Sequence, residues 1–318
     1  MSDVDFFFSQ LQGGVVLGAL YALIALGYTM VYGIIQLINF AHGEIFMVGA
    51  FGALAVYTWG ALDGTTTWVA LPLMLAGAMA ASVSVAVLTE RFAYRPLRNA
   101  PRLAPLITAI GISVVLQEAV RLGFPITTGD TVQFGAKSDQ PFPKLIAGDR
   151  IDLGVIDITP IDATIIVVAL ASMVGLVLFV NRSRTGRAMQ ATAQDPDTAR
   201  LMGINVNRII VTAFVLGAML AAIAGIMHGL KYGNVGFKIG FIAGLKAFTA
   251  AVLGGIGNIA GAVVGGFFLG IVEAMASSYM PGQLGGGAWK DVWAFVVLIL
   301  VLVLRPQGLL GQKVADRA

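Results

Sequence analysis

The segment Ile38 to Glu44 reads I-N-F-A-H-G-E and places an amide, an imidazole and a carboxylate (Asn39, His42 and Glu44) at the junction of two apolar runs. Ionisable groups at such a place are costly in lipid and usually face protein or a water-filled cavity. Two readings follow. The helix breaks here and these groups line or brace a path through the membrane and its cytoplasmic mouth, or they sit in a short interfacial turn and satisfy one another and exposed backbone. Metal catalysis fits poorly, because His-x-Glu supplies at most two ligands and no H-E-x-x-H occurs in the chain. The chain has 2 His and 0 Cys, which also excludes a multi-histidine centre and a thiolate site.

Other groups with chemical potential are scattered. Glu118 and Arg121 share helical spacing and are expected to pair with each other beside Gln117. Glu273 stands alone in an apolar run and should face the bundle interior and find a partner there. His228 reads as an interfacial histidine. Tyr21, Tyr28 and Tyr32 share one run with Thr29. An apolar path with a few hydroxyls suits an aliphatic amino acid, although tyrosines near span ends are also common membrane-belt residues. No nucleophile constellation can be assembled, and no G-x-x-x-x-G-K-[ST] is present, so the chain does not cradle ATP phosphates as a P-loop protein does. The G-I-G-N-I-A-G turn at Gly255 to Gly261 has the wrong spacing for a dinucleotide fingerprint and follows no strand.

The elements that must position these groups are membrane spans. Of 318 residues 58% are apolar and only 12% charged, with a mean hydropathy of +0.86, whereas a soluble domain is about 25% charged. A span needs about 20 mainly apolar residues, which gives candidates at roughly 12–34, 43–61, 68–89, 103–123, 161–180, 209–231, 239–256, 258–280 and 289–304. Long runs such as Trp293 to Leu304 show no polar alternation, so the expected fold is all-α: a single polytopic helix bundle of about nine spans, within a range of 8–10. The first 90 residues contain no Lys or Arg. The start therefore lacks a basic signal-peptide region, and the first apolar run is expected to stay in the mature protein.

Positive charge sets the orientation. Arg91, Arg95, Arg98 and Arg102 lie in the 90–102 loop, Arg182, Arg184, Arg187, Arg200 and Arg208 in the 181–208 loop, and Arg305, Lys313 and Arg317 in the tail. The positive-inside rule makes all three cytoplasmic. The stretch 124–162 holds six Asp (130, 139, 149, 152, 157 and 162) among four prolines and reads as external. Three candidate spans precede the first cytoplasmic loop, so the N-terminus is expected outside. Between Arg208 and Arg305 the number of crossings must be even. Either the 239–256 run crosses, interrupted by Lys246 and ending in glycines, or a neighbour is re-entrant; crossing is favoured, with a broken or half-length helix near 239–257 that lines a pathway.

The 181–208 loop is patterned as a short helix-turn-helix lying under the membrane. Asp195 followed by Pro196 makes an N-cap and N1 pair, and Gly203 ends the helix that follows. The 40 glycines concentrate where helices must approach closely: Gly261, Gly265, Gly266 and Gly270 form two overlapping small-xxx-small pairs, and Ala218, Ala222, Gly225 and Gly229 form another face.

Four separated blocks carry a resemblance. The pattern G-R-A-M-x-A-x-A-x-D…L-M-G-I-N-V at Gly186 to Val206 resembles the coupling-loop region of permeases of the branched-chain amino-acid ABC importer family. Tyr21 to Ala50 is similar to the first two membrane segments of the H-type subunit, and Ala251 to Gly270 and Leu304 to Gly311 match further on, in order. The resemblance implies a permease that pairs with a second, homologous permease, with two cytoplasmic ATPase subunits carrying ATP and magnesium, and with an extracytoplasmic substrate-binding protein. It implies no cofactor on this chain. It also implies that the 186–203 element docks on an ATPase, with Arg187, Gln194, Asp195, Arg200 and Gly203 at that contact. Leucine, isoleucine and valine are the implied cargo; urea or a short amide in the same family, and less favoured an ion-coupled secondary transporter, are the alternatives. The net charge of +3 is too slight to indicate a nucleic-acid partner.

Overall fold

A computed structural model describes residues 3–98, 100–101, 103–128, 131–136, 139–146, 148–149, 151–152, 157–282, 285–287 and 289–311. Arg102, Asp130, Lys313 and Arg317, which entered the charge argument, lie outside the described residues. Eleven α-helices are present among the described residues: α1 (Asp3–Ile35), α2 (His42–Trp59), α3 (Thr67–Thr89), α4 (Leu103–Gly123), α5 (Pro160–Arg182), α6 (Arg184–Gln194), α7 (Pro196–Leu201), α8 (Val206–Tyr232), α9 (Ile239–Gly254), α10 (Ile259–Tyr279) and α11 (Lys290–Leu304). A π-helical turn, Glu90–Tyr94, prolongs α3. Nine of these helices coincide with the nine apolar runs, but six are long and apolar enough to cross a membrane: α1, α3 with its π-turn, α4, α5, α8 and α10. The short runs are α2, whose first turn carries His42 and Glu44, α11, and α9, whose 16 residues reach about 24 Å at 1.5 Å per residue. The 239–256 run is thus a continuous but short helix, stopped by Gly255 at φ +101°.

α1 is the axis. Every residue from Gly18 to Val31 is buried, and α10, α8, α9 and α5 pack round it. A helix apolar on every side is stable only when surrounded. It begins at Asp3, well before the expected start near residue 12, because its N-terminal turns pack on the end of α10, where Phe6 meets the Tyr279 ring at 5.7 Å and Ser278 donates to Gln10. By contrast α4 and α5 bury only 17% of their central windows, against 89% for α1. Exposed Leu, Ile and Val along α4, α5 and α11 form the apolar outer surface.

The glycines decide how closely the helices approach. On α10 a Cβ at Gly261 or Gly265 would strike the backbone of Gly254 or Ala250 in α9, while one at Gly266 would lie 2.7 Å from the Ala22 nitrogen of α1. Gly270 meets Gly18 of α1 backbone to backbone. Two faces of one helix therefore seat two different neighbours. Gly225 of α8 does the same against Phe46 and Ala50 of α2.

The two ends of the bundle differ in kind. One end carries the acidic 124–162 stretch, which adds short strands: β1 (Pro125–Thr128) pairs with β2 (Thr131–Phe134), β3 (Gln140–Pro141) with β6 (Asn234–Val235), and β4 (Ile151–Asp152) with β5 (Asp157–Ile158), all antiparallel. An ion pair between Lys231 and buried Asp162 fastens α8 to the start of α5 there. The other end carries the π-turn, α6 and α7, and residues 305–311. There Leu309 and Leu310 donate to the carbonyls of Leu253 and Gly254 at 2.7 and 3.0 Å, clasping these two residues over the turn between α9 and α10.

Candidate functional site

The Asn39, His42 and Glu44 segment is where the chain leaves helix inside the bundle. α1 stops at Gln36, whose φ of 51° is left-handed, and residues 37–41 return without helix before α2 begins. His42 packs against Gly27 and Gly217, which lie about two turns before α1 ends and about three turns after α8 begins. The N-terminus of α2 is therefore buried mid-bundle, and its free N–H groups need partners. Asn39 Oδ1 accepts from Ala41 N at 3.1 Å, the Gly43 N–H bonds the Tyr28 hydroxyl, and His42 bonds the Ile24 backbone. Tyr94 in the π-turn donates to Asn39 Oδ1 at 3.0 Å and holds the return segment from below.

Glu44 lies in the first turn of α2, where the helix dipole favours a negative charge. It is fully buried, and Oε1 accepts from Ser113 at 3.0 Å and Gln117 at 2.8 Å, both on α4. Glu44 Oε2, His42 Nε2, Thr29 Oγ1 and Asn39 Nδ2 have no hydrogen-bond partner among the described residues. Tyr28 stands against the His42 ring at 4.8 Å, so Tyr28, Asn39, His42 and Glu44 form one sealed polar cluster. Tyr32 is separate from them, one turn nearer the end of α1 and half-buried. Gln117 belongs to this cluster rather than to its own helix, whereas Glu118 pairs with Arg121 at 2.6 Å on an exposed face.

A cavity of about 330 Å³ lies beside the cluster, between α1, α2, α8, α9 and the start of α11. Leu17, Leu20, Ile24, Phe46, Ile239 and Ile242 give it an apolar wall; Tyr21, His228, Tyr232, Asn234, Lys246 and Lys290 are its polar lining. His228 reaches it stacked on Tyr232 at 4.6 Å and edge-on to Phe46 at 5.6 Å. Lys246 ends in an ion-pair network: its Nζ is 2.7 Å from Glu273 Oε1 and 2.5 Å from Asp291 Oδ1, and Tyr21 donates to Glu273 Oε2 at 2.9 Å. Glu273 has the interior partner its position required. That this partner is Lys246, and that Asp291 joins them, was missed from the sequence, although opposite charges in two adjoining apolar runs were a signal for it.

At the opposite end α6 and α7 form a compact cap against α5 and α8. Ser183 caps α6 by accepting from Gly186 N, and Asp195 caps α7 by accepting from Asp197 N at 2.9 Å and Thr198 N at 3.0 Å. Gly203, at φ +82°, turns the chain out of α7, and a Cβ there would meet open space. Met189, Thr192 and Ala199 face the bundle, while Arg187, Gln194, Asp195 and Arg200 are exposed. Leu201 and Met202 at the tip are 88% and 78% exposed. Two apolar side chains are thus held out beside a charged face, and the Leu-Met pair before Gly203 was the sequence signal for them.

Arg98 ties this end to the rest. It donates to Asn207, at the base of α8, and to buried Glu90. Burial lowers the Arg98 pKa from its ordinary value and the adjacent Glu90 carboxylate opposes the fall, so the guanidinium stays charged.

Residues 10–302 match the family described as branched-chain amino acid transport system / permease component. The high-affinity branched-chain amino acid transport system permease protein BraD of Pseudomonas aeruginosa is 44% identical over 325 residues, covering 100% of both chains. LivH of Escherichia coli (strain K12), which carries the same description, is 43% identical over 98% of each chain. The probable branched-chain amino acid transport permease protein LivH of Methanocaldococcus jannaschii is 26% identical over 95% of this chain and 91% of its own.

Proposed function

Since the chain belongs to the branched-chain amino acid transport permease family, we infer that it is the membrane-embedded translocation subunit of an ATP-driven importer that moves leucine, isoleucine and valine inward. The observation that carries this is identity of 43–44% to such permeases along essentially the whole chain. The chain itself is not an enzyme; ATP hydrolysis belongs to separate subunits. Urea, short amides or ion coupling have no comparable support.

Several finer statements are part of the proposal. The bundle is one permease domain that crosses the membrane about nine times, with α2, α9 and α11 as its short crossings, the N-terminus outside and the C-terminus in the cytoplasm of a bacterial cell. The alternation of helix direction between the two dissimilar ends supports this. A second homologous permease, two ATPases holding ATP and magnesium, and an external binding protein complete the assembly. The α6–α7 cap docks on an ATPase through Arg187, Gln194, Asp195 and Arg200, with Leu201 and Met202 as the apolar tip. Gly203 shapes the turn behind it. Tyr28, Asn39, His42 and Glu44 brace the helix break beside the translocation path, and Tyr32 lies toward its cytoplasmic mouth.

The test is reconstitution with the four partner chains. Leucine uptake that requires ATP and binding protein is expected. Uptake by this chain alone under an ion gradient would overturn the importer reading. A cysteine at Ser183 should be labelled only from the cytoplasm and one at Asp149 only from outside; labelling of both from one side would overturn the orientation.

A further inference from the structure

We propose that the cavity between α1, α2, α8, α9 and the start of α11 is an intramembrane site for one zwitterionic aliphatic α-amino acid. The proposal rests on the cargo reading and adds a location for the cargo within this single chain. The cavity volume of about 330 Å³ falls at the lower end of small-molecule sites, which run from about 300 to 1,000 Å³. Its wall of Leu17, Leu20, Ile24, Phe46, Ile239 and Ile242 offers a branched side chain dispersion contacts and no hydrogen-bond partner.

The polar groups decide the ligand class. A pocket for a lipid chain needs no charge, yet this one is lined by the ammonium groups of Lys246 and Lys290, with the carboxylates of Glu273 and Asp291 directly behind Lys246. Lys246 lines it and is bound to Glu273 and Asp291, so that network holds one positive and two negative side chains. Asp291 is 39% exposed, and the neighbouring Lys290 is exposed at the rim. A bound α-ammonium is attracted to the surplus negative charge at Asp291. A bound carboxylate is attracted to Lys290, with the Tyr232 hydroxyl as a further donor in the same lining. Intramembrane charges that are costly to bury usually mark a substrate path. The rim residues Asn234 and Lys290 belong to the end that carries the acidic loop, since Asn234 pairs with Pro141 of β3, so the site faces the side from which a binding protein would deliver cargo.

The experiment uses the complete complex with its partner permease, ATPases and binding protein in nanodiscs. Ile242 is 47% exposed on α9, so Ile242→Trp should assemble to the wild-type yield while filling the cavity. Leucine uptake should fall by about 10-fold or more, and Ile242→Phe should raise the valine-to-leucine uptake ratio several-fold, since a misfit of one or two methylenes changes discrimination by roughly 10- to 200-fold at most. Lys290→Glu should weaken direct leucine binding, measured without binding protein, and isoamylamine or isovalerate, each lacking one charge, should compete about 10-fold more weakly than leucine. Wild-type uptake and an unchanged ratio in both Ile242 variants would overturn the site while leaving the cargo reading intact. Equal competition by the singly charged analogues would show an apolar or lipid pocket and overturn it as well. Absence of branched-chain uptake by the wild-type complex would instead remove the cargo reading on which the site rests.

Discussion

Two ion pairs of almost the same length stand at opposite ends of this molecule's energetic range. Lys246 and Glu273 approach to 2.7 Å with side chains 4% and 3% exposed, and Arg200 and Asp197 approach to 2.6 Å with side chains 58% and 83% exposed. Distance does not separate them; surroundings do. Water screens the exposed pair on α7 and solvates either partner if the other is lost, so such a pair contributes about 0–1 kcal/mol. The buried pair has given up its hydration, and each charge depends on the other, on Tyr21 and on Asp291. The difference matches the tasks of the two regions. The bundle interior must hold one packing while a charge lies in a low-dielectric setting, whereas the α6–α7 cap holds its charges in water and can spare them from its own stability.

The comparison is broken most directly at Lys246. Lys246→Ala leaves Glu273 in the interior without its cation and should destabilise the purified protein by about 3–5 kcal/mol, read as a lower melting temperature and a reduced yield in detergent. The double variant Lys246→Met with Glu273→Met should recover most of that loss, because the one charge left without its partner, Asp291, is 39% exposed and can be hydrated. No loss in the single variant would show that the pair is hydrated, and no recovery in the double variant would show that the cost lies in packing and not in the buried charge.

Gly203→Val sharpens the comparison from the other side. Valine strains a φ of +82° by about 1–2 kcal/mol, too little to unfold the bundle, and no neighbouring atom blocks the side chain. Yield and melting temperature should stay near wild type while ATP-driven uptake falls to a small fraction. Uptake at the wild-type rate would make the cap an ordinary solvated connection.

The smallest effect is expected at Arg200. Arg200→Ala should change stability by less than about 1 kcal/mol and lower uptake only severalfold, with the charge reversal Arg187→Glu of similar size. A stability loss as large as that of Lys246→Ala would refute the distinction between the two regions.

Much of the cap was legible in advance. Asp195 before Pro196, and Gly203 seven residues after Pro196, act through neighbours within a turn, and local chemistry of that kind needs no knowledge of the rest of the chain. The interior was legible only in part. Asn39, His42 and Glu44 stood out because polar groups among apolar runs are costly wherever they lie. That α2 starts mid-bundle, capped by the Tyr28 hydroxyl and held by Tyr94, depends on segments far apart in sequence, as does the reach of Gln117 to Glu44. The short helix Ile239–Gly254 was anticipated as an interruption, but what makes a helix of its length tenable is its burial against α1, α2 and α10.

Composition and local pattern by themselves determined that this is a membrane protein built as a helix bundle, where its helices run, which stretches share the basic end, and how the α6–α7 cap begins and stops. Each of those follows from a run of side chains meeting one solvent, lipid or water, or from a backbone group meeting a side chain within four residues. Only the tertiary structure decided that Gly261 and Gly265 seat α9 while Gly266 and Gly270 seat α1, that Lys246 answers Glu273, and that a cavity opens beside them. Those pairings are chosen by close packing between helices, where many partners of the right polarity are available along the chain and shape admits one.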